Sequence, residues 1–201
     1  MSAARPLAMG VTGHRVLAEV DRIAVGVDDA LDAMAAAFPE RPVLVVSALA
    51  EGADRIVAQR ALARREASLE AILPLSRDDY ATDFVSGESR REFASLVERA
   101  KRVVQLLTAP SREAAYEAGG RYVLDHCDLL LAIWDGLAAQ GQGGTGAIVA
   151  EARRRGLPLA WVHAGNRKPC TTEPTTLGDQ QGTMTYERFP TSSPAAAEQH
   201  I

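Results

Sequence analysis

The chain has 201 residues, enough for one domain, or one domain and a tail, and 47% of them are hydrophobic, so a sizeable core is available. Aromatic residues make up only 5%, so that core is built from Ala, Val, Leu and Ile. The net charge of −4 and a pI near 5.6 speak against nucleic acid as the main partner, no apolar run reaches the ~18 residues of a membrane span, and the cytoplasm is the expected compartment.

In chain order, Leu7 to Val11 reads as a short apolar strand that ends in Thr12-Gly13-His14-Arg15. Val20 to Ala37 repeats apolar residues at helical spacing, through Val20, Ile23, Val27, Ala30, Leu31 and Met34. Val43 to Val46 is a second buried strand and runs into Ser47-Ala48-Leu49-Ala50-Glu51-Gly52-Ala53-Asp54. A helix is expected from about Asp54 to Arg65, a third strand over Leu69 to Leu73, and a polar-aromatic connection from Asp78 to Phe84. Ser89 to Ala100 reads as a helix with Phe93, Leu96 and Val97 inward, Arg102 to Thr108 as a strand, and Arg112 to His126 as a helix with an internal Gly119-Gly120. Leu129 to Trp134 is a continuous apolar run, too short for a helix and bounded by turn residues, hence a central strand. It stops at Asp135-Gly136, and Gly143-Gly144-Thr145-Gly146 opens the next helix, which ends at Gly156 before a last strand, Leu157 to Val162.

Solidly apolar strands alternating with helices predict an α/β, Rossmann-like, doubly wound and mostly parallel sheet with helices on both faces. Residues 1–165 form this domain. From 166 to 201 the composition shifts to Pro, Thr, Ser, Gly and Gln, which reads as a mobile tail, although Met184 to Phe189 could add an edge strand.

In such sheets ligands bind outside the carboxyl ends of the strands, where strand order reverses. Three strand ends carry the candidate ligand-binding residues. Gly13 permits a turn, His14 can hydrogen-bond, and Arg15 can fork onto a phosphate or carboxylate. In the second loop Ser47 can bond a ribose or phosphate and Gly52 stands near a helix start. Glu51 is either a ribose ligand or a surface charge, and Asp54 is best read as a helix cap. In the third, Asp135 either accepts a ribose hydroxyl or forms a turn with Gly136. Gly143, Gly144, Thr145 and Gly146 sit where a strand enters a helix whose free N–H groups attract anions. The alternative for these glycines is a tight turn and nothing more. Tyr116 and Arg121, five apart, serve separate purposes.

Four scattered histidines and two cysteines, Cys127 and Cys170, offer no metal-ligand spacing. There is no Gly-Lys-Ser/Thr phosphate loop and no Gly-x-Gly-x-x-Gly after the first strand, so no cofactor is expected.

Taken together, Gly10-Val-Thr-Gly-His-Arg15, Ser47-Ala-Leu-Ala-Glu-Gly-Ala-Asp54, and Asp135-Gly136 with Gly143-Gly-Thr-Gly146 resemble the SLOG superfamily. This Rossmann-like group includes the cytokinin-activating LOG phosphoribohydrolases and the DNA-processing protein of natural transformation. The resemblance covers about Leu7 to Ala164 and implies a nucleotide or nucleotide-derived ligand over the strand ends, in some members as a sensor module. The LOG enzymes carry Pro-Gly-Gly-x-Gly-Thr-x-x-Glu with a catalytic Glu. Here Gln142, Ala147 and Ala150 replace the Pro, Thr and Glu, and Glu151 comes one residue late, roughly 100° around a helix. Three functions follow from the resemblance: a nucleotide-binding or sensing module, an N-glycosidic hydrolase of nucleoside monophosphates with Glu151 as its catalytic carboxylate, and a DNA-binding relative, which the acidic balance disfavours. The chain is compatible with a homo-oligomer and has no feature directed at a membrane.

Overall fold

The structure, a computed structural model, describes residues 4–106, 109–138, 144–165 and 177–190. Seven strands form one sheet in the order β4-β3-β2-β1-β5-β6-β7. These are β1 (Leu7–Gly13), β2 (Val43–Ser47), β3 (Ser68–Leu73), β4 (Arg102–Gln105), β5 (Leu129–Trp134), β6 (Leu159–His163) and β7 (Met184–Glu187). The first six pair in parallel, as solidly apolar strands joined by helical crossovers should. The helices are α1 (Val20–Ala37), α2 (Ala53–Leu62), α3 (Arg77–Ala81), α4 (Gly87–Arg99), α5 (Arg112–Asp125) and α6 (Thr145–Arg154). The predicted doubly wound α/β fold is the fold of the protein.

Strand alternation separates two cores. Leu129, Leu131 and Ile133 of β5 pack with α1, α2 and α4 residues, including Ile23, Val57 and Phe93. Leu130, Ala132 and Trp134 face the other way, onto Ile148, Val149 and Ala152 of α6. Helices α3, α4 and α5 start at Ser76, Ser86 and Ser111, each of which accepts a hydrogen bond from the amide three residues on.

Two expectations need correcting. The Asp78 to Phe84 connection contains a helix, α3, because the Ser76 cap closes its first turn and Tyr80 anchors it in the core. Within the tail expected from residue 166, the possible edge strand over Met184 to Phe189 is present as β7, so the sheet extends past the expected domain boundary at 165. The segment 177–190 turns through a 3₁₀ stretch, Gly178–Gln180, and β7 pairs antiparallel with β6. Its hold is largely backbone: the Gly182 amide donates to the His163 carbonyl at 2.8 Å, the His163 amide to the Thr183 carbonyl at 2.9 Å, and the Gln181 side chain accepts from the Gly165 amide at 2.9 Å. Gly26 of α1 lets the Gly182 carbonyl press against the helix. Residues 166–176 and 191–201 lie outside the described residues.

Candidate functional site

Strand order turns round at β1, which lies between β2 and β5. Beyond its carboxyl end lies a cavity of about 400 Å³. Its walls come from the β1 end (Gly13, His14, Arg15), the β2–α2 loop (Ala48, Ala50, Asp54), Tyr80 of α3, Tyr116 of α5, and Gly144 and Thr145 at the start of α6. A cavity at a switch point is where this architecture places ligands.

The loops are fixed to one another through the backbone. The His14 amide donates to the Ile133 carbonyl at 3.0 Å, and the Ala53 amide donates to the His14 carbonyl at 3.1 Å. Gly52 makes this approach workable. It has φ +78°, and a Cβ would come within 2.6 Å of the His14 carbonyl oxygen. Leu49, fully buried, also takes a left-handed φ of +57°. A left-handed leucine is strained by roughly 1–2 kcal/mol, and such strain is retained where the surroundings dictate the loop path. Arg55 is one such dictator. It is buried, donates to the Leu49 carbonyl, to Ser89 and to Glu92, and lies over the Phe84 ring at 4.2 Å. Its Nη2 has no partner among the described residues.

Asp54 is 5% exposed. Ser47 Oγ donates to its Oδ2 at 2.8 Å, and the same Oγ accepts from the Leu49 amide at 3.0 Å. Burial is the largest effect on the carboxyl and pushes its pKa up to about 6, against the Ser47 and Ala50 hydrogen bonds and the charges of Arg15 and Arg55. Asp54 therefore belongs to the cavity wall and is more than the helix cap expected of it. The α2 cap is Gly52, with no side-chain hydrogen bond.

His14 Nε2 lies 3.2 Å from both the Asp135 amide nitrogen and Asp135 Oδ2. The two contacts require opposite proton occupancy. Burial lowers the imidazole pKa against the pull of Asp135, and a neutral ring can make either contact according to its tautomer. Arg15 lies over the Tyr116 ring, 5.3 Å from its centroid, and makes no hydrogen bond or ion pair with any described residue. The Tyr116 hydroxyl is engaged with Asp83, which Arg112 also holds at 3.0 Å. No family model and no curated protein matches the chain.

Of the residues expected at the site, Gly13, His14, Arg15, Asp54, Gly144 and Thr145 line one cavity. The others stand beside it. Ser47 supports Asp54, Gly52 shapes the loop, and Asp135 accepts from the Leu137 amide at 3.0 Å in a turn that Gly136 completes with φ +84°. Glu51 is removed from the cavity wall, because its carboxylate accepts from the Ser89 hydroxyl on α4. Gly146 lies within α6, and Gly143 lies outside the described residues. Gly144 has φ −77° and ψ 165°, which any residue adopts. A Cβ at Gly144 meets no atom within 4 Å among the described residues.

Glu151 is the clearest displacement. It pairs with Arg154 and Arg155, which hold its carboxyl down to about 2, in a surface groove shared with Glu117, Arg121 and Asp125. Arg121 pairs with Glu117 there, whereas Tyr116 lines the cavity. Among the described residues no group of three or more His, Cys, Asp or Glu is placed to hold a metal ion, and no helix is long and apolar enough to cross a membrane. Tyr80 is the functional candidate that the sequence reading missed. The available signal was Ser76-x-x-Asp79 opening a short helix, with Tyr80 inside it and Phe84 four residues on, beyond its end.

Proposed function

We propose that the chain binds a nucleotide or nucleotide-derived ligand over the carboxyl ends of its strands and acts as a ligand-binding or sensing module. One observation carries the reading: at the switch-point cavity, a guanidinium with no ion pair among the described residues, Arg15, lines the same space as the start of α6. That helix begins at Gly144 with no side-chain cap and no acidic residue in its first turn. Its free amides and partial positive charge favour an anion, and Arg15 supplies a fork matched to phosphate oxygens. Thr145 adds a hydroxyl. The likeness of the three loops to the SLOG superfamily makes a nucleotide the natural source of that phosphate. Native mass spectrometry of freshly purified protein should detect a co-purifying nucleotide, and finding the protein consistently empty, with no calorimetric binding of adenosine monophosphate, would sink the reading.

Hydrolysis of the N-glycosidic bond is the less supported function. Ala150 stands where a LOG enzyme has its catalytic Glu, and Glu151 is held by two arginines in a different groove. Incubation with adenosine monophosphate should release little adenine. Clear release that Glu151→Gln abolishes would establish the enzyme instead.

A further inference from the structure

Two tyrosines stand on the cavity wall, and they differ in one respect. The Tyr116 hydroxyl is engaged by Asp83. The Tyr80 hydroxyl has no hydrogen-bond partner among the described residues, although Tyr80 is only 1% exposed. Its ring is well explained by packing: it meets Phe84 edge-on at 5.1 Å and Phe93 at 5.6 Å, and tilts toward Tyr116 at 6.2 Å. Phenylalanine would serve that packing equally well. The hydroxyl gains nothing from it and, unlike Arg55 Nη2, is not sealed inside the protein, so it is open to a group held in the cavity. Asp54, also buried, lines the same cavity, and after burial itself its charge is the largest influence that pushes the Tyr80 phenol up. The cavity thus holds a donor without an acceptor beside a carboxylate whose only side-chain hydrogen bond, among the described residues, comes from Ser47.

We propose that Tyr80 and Asp54 form a second subsite, behind the anion-binding end, that holds a sugar hydroxyl of the ligand. The inference rests on the reading of Arg15 and the α6 start as the phosphate-binding end. A hydroxyl both donates and accepts, so it satisfies both protein groups at once: the Tyr80 O–H donates to the sugar oxygen, and the sugar O–H donates to the Asp54 carboxylate. A bare phosphate anion supplies no such donor to Asp54 and is repelled by it. The occupant is accordingly a phosphorylated ribosyl compound, selected over inorganic phosphate by this pair.

Calorimetric titration with inorganic phosphate and with ribose 5-phosphate, on the unaltered chain and on Tyr80→Phe and Asp54→Asn, tests the assignment. The unaltered chain should bind ribose 5-phosphate more tightly than phosphate. Each variant should lose about tenfold in affinity for the sugar phosphate, the scale of one hydrogen bond; Tyr80→Phe should keep its affinity for phosphate, and Asp54→Asn, with the repelling charge gone, should bind phosphate at least as tightly as the unaltered chain. The melting temperature of Tyr80→Phe should be nearly unchanged, since the ring contacts remain. Equal affinity for the two probes, unchanged in both variants, overturns the subsite while the phosphate end stands. Parallel loss of both probes in Tyr80→Phe also overturns it, by making Tyr80 part of the anion end. Binding of neither probe by the unaltered chain overturns the phosphate reading and the subsite with it.

Discussion

Asp54 shows how much one side chain changes meaning between sequence and fold. Its ordinary pKa of 3.8 rises to about 6 because burial disfavours the carboxylate more than Ser47, Ala50, Arg15 and Arg55 favour it. A carboxyl with a raised folded-state pKa holds its proton longer in the folded chain than in the unfolded one. Below about pH 4 both states are protonated and folding loses nothing. Between about 4 and 6 the unfolded state releases its proton first, so stability falls as pH rises; above about 6 the full penalty applies, about 3 kcal/mol at ~1.4 kcal/mol per pKa unit. Asp54→Asn keeps the acceptor for Ser47 and removes the charge. The variant should therefore melt above the unaltered chain at pH 8 and match it near pH 4. Thermal melts at the two pH values check this, and an Asn variant that melts lower at pH 8 would mean the carboxylate is stabilised in ways burial does not capture. The sequence shows a carboxylate near a helix start. It does not show that a left-handed Leu49 and the Ser47 hydroxyl seven residues upstream turn that carboxylate inward, since both depend on the path of the loop. Glu51, three residues away, was open between a ribose ligand and a surface charge, and the loop delivers it to Ser89.

At the scale of elements, the strands were legible where burial on both faces forces an unbroken apolar run, as in Leu129–Trp134. Helix α1 was legible because its apolar positions recur at 3.6-residue spacing from Val20 to Ala37. One element resisted, and another, β7, was readable only as a possible edge strand, for physical reasons. Helix α3 has only five residues, too few for any period, and is defined by a cap and one buried ring. Strand β7 is a sheet edge with one face to bury, and what fixes it is backbone: the His163–Thr183 and Gly182–His163 hydrogen bonds and the seating of Gly182 against Gly26 and the Arg22 carbonyl. Such contacts leave in the sequence only two glycines far apart. Their importance is testable. Gly182 has φ +81° and a Cβ there would overlap Arg22 backbone, whereas Gly178, with φ +48°, has open space. Gly182→Val should lower the melting temperature by about 5 °C or more, from a loss of roughly 2 kcal/mol in a domain of this size. Gly178→Val, with strain but no collision, should lose less. Equal losses would show that β7 is not anchored through Gly182.

Across the whole molecule, the strand order makes the cavity. With β1 between β2 and β5, the connections leave in opposite directions, and the starts of α2 and α6 converge on the end of β1 from the two faces of the sheet. The segments that meet there are 13–15, 47–54, 135–138 and the α6 start at 144–146, and only the folded sheet brings them together. A ligand in that space bridges elements from both cores, so it binds the folded chain and not the unfolded one. At a hundredfold excess over its dissociation constant it should stabilise the chain by about 2.7 kcal/mol, raising the melting temperature by about 5–10 °C. Gly144 decides whether the α6 start is where the phosphate rests. Its backbone is unstrained for any side chain and a Cβ there touches nothing among the described residues, so Gly144→Val should melt within about 2 °C of the unaltered chain, on the small cost of a surface change without a collision. A branched side chain at the helix start would nonetheless stand between the amides and an approaching phosphate, so the shift produced by adenosine monophosphate should vanish. Thr145→Val, which removes one hydroxyl, should weaken binding about tenfold, the scale of a hydrogen bond to a charged partner. A full ligand-induced shift in Gly144→Val would show that the glycines serve only the turn into α6, and would move the phosphate to Gly13, His14 and Arg15.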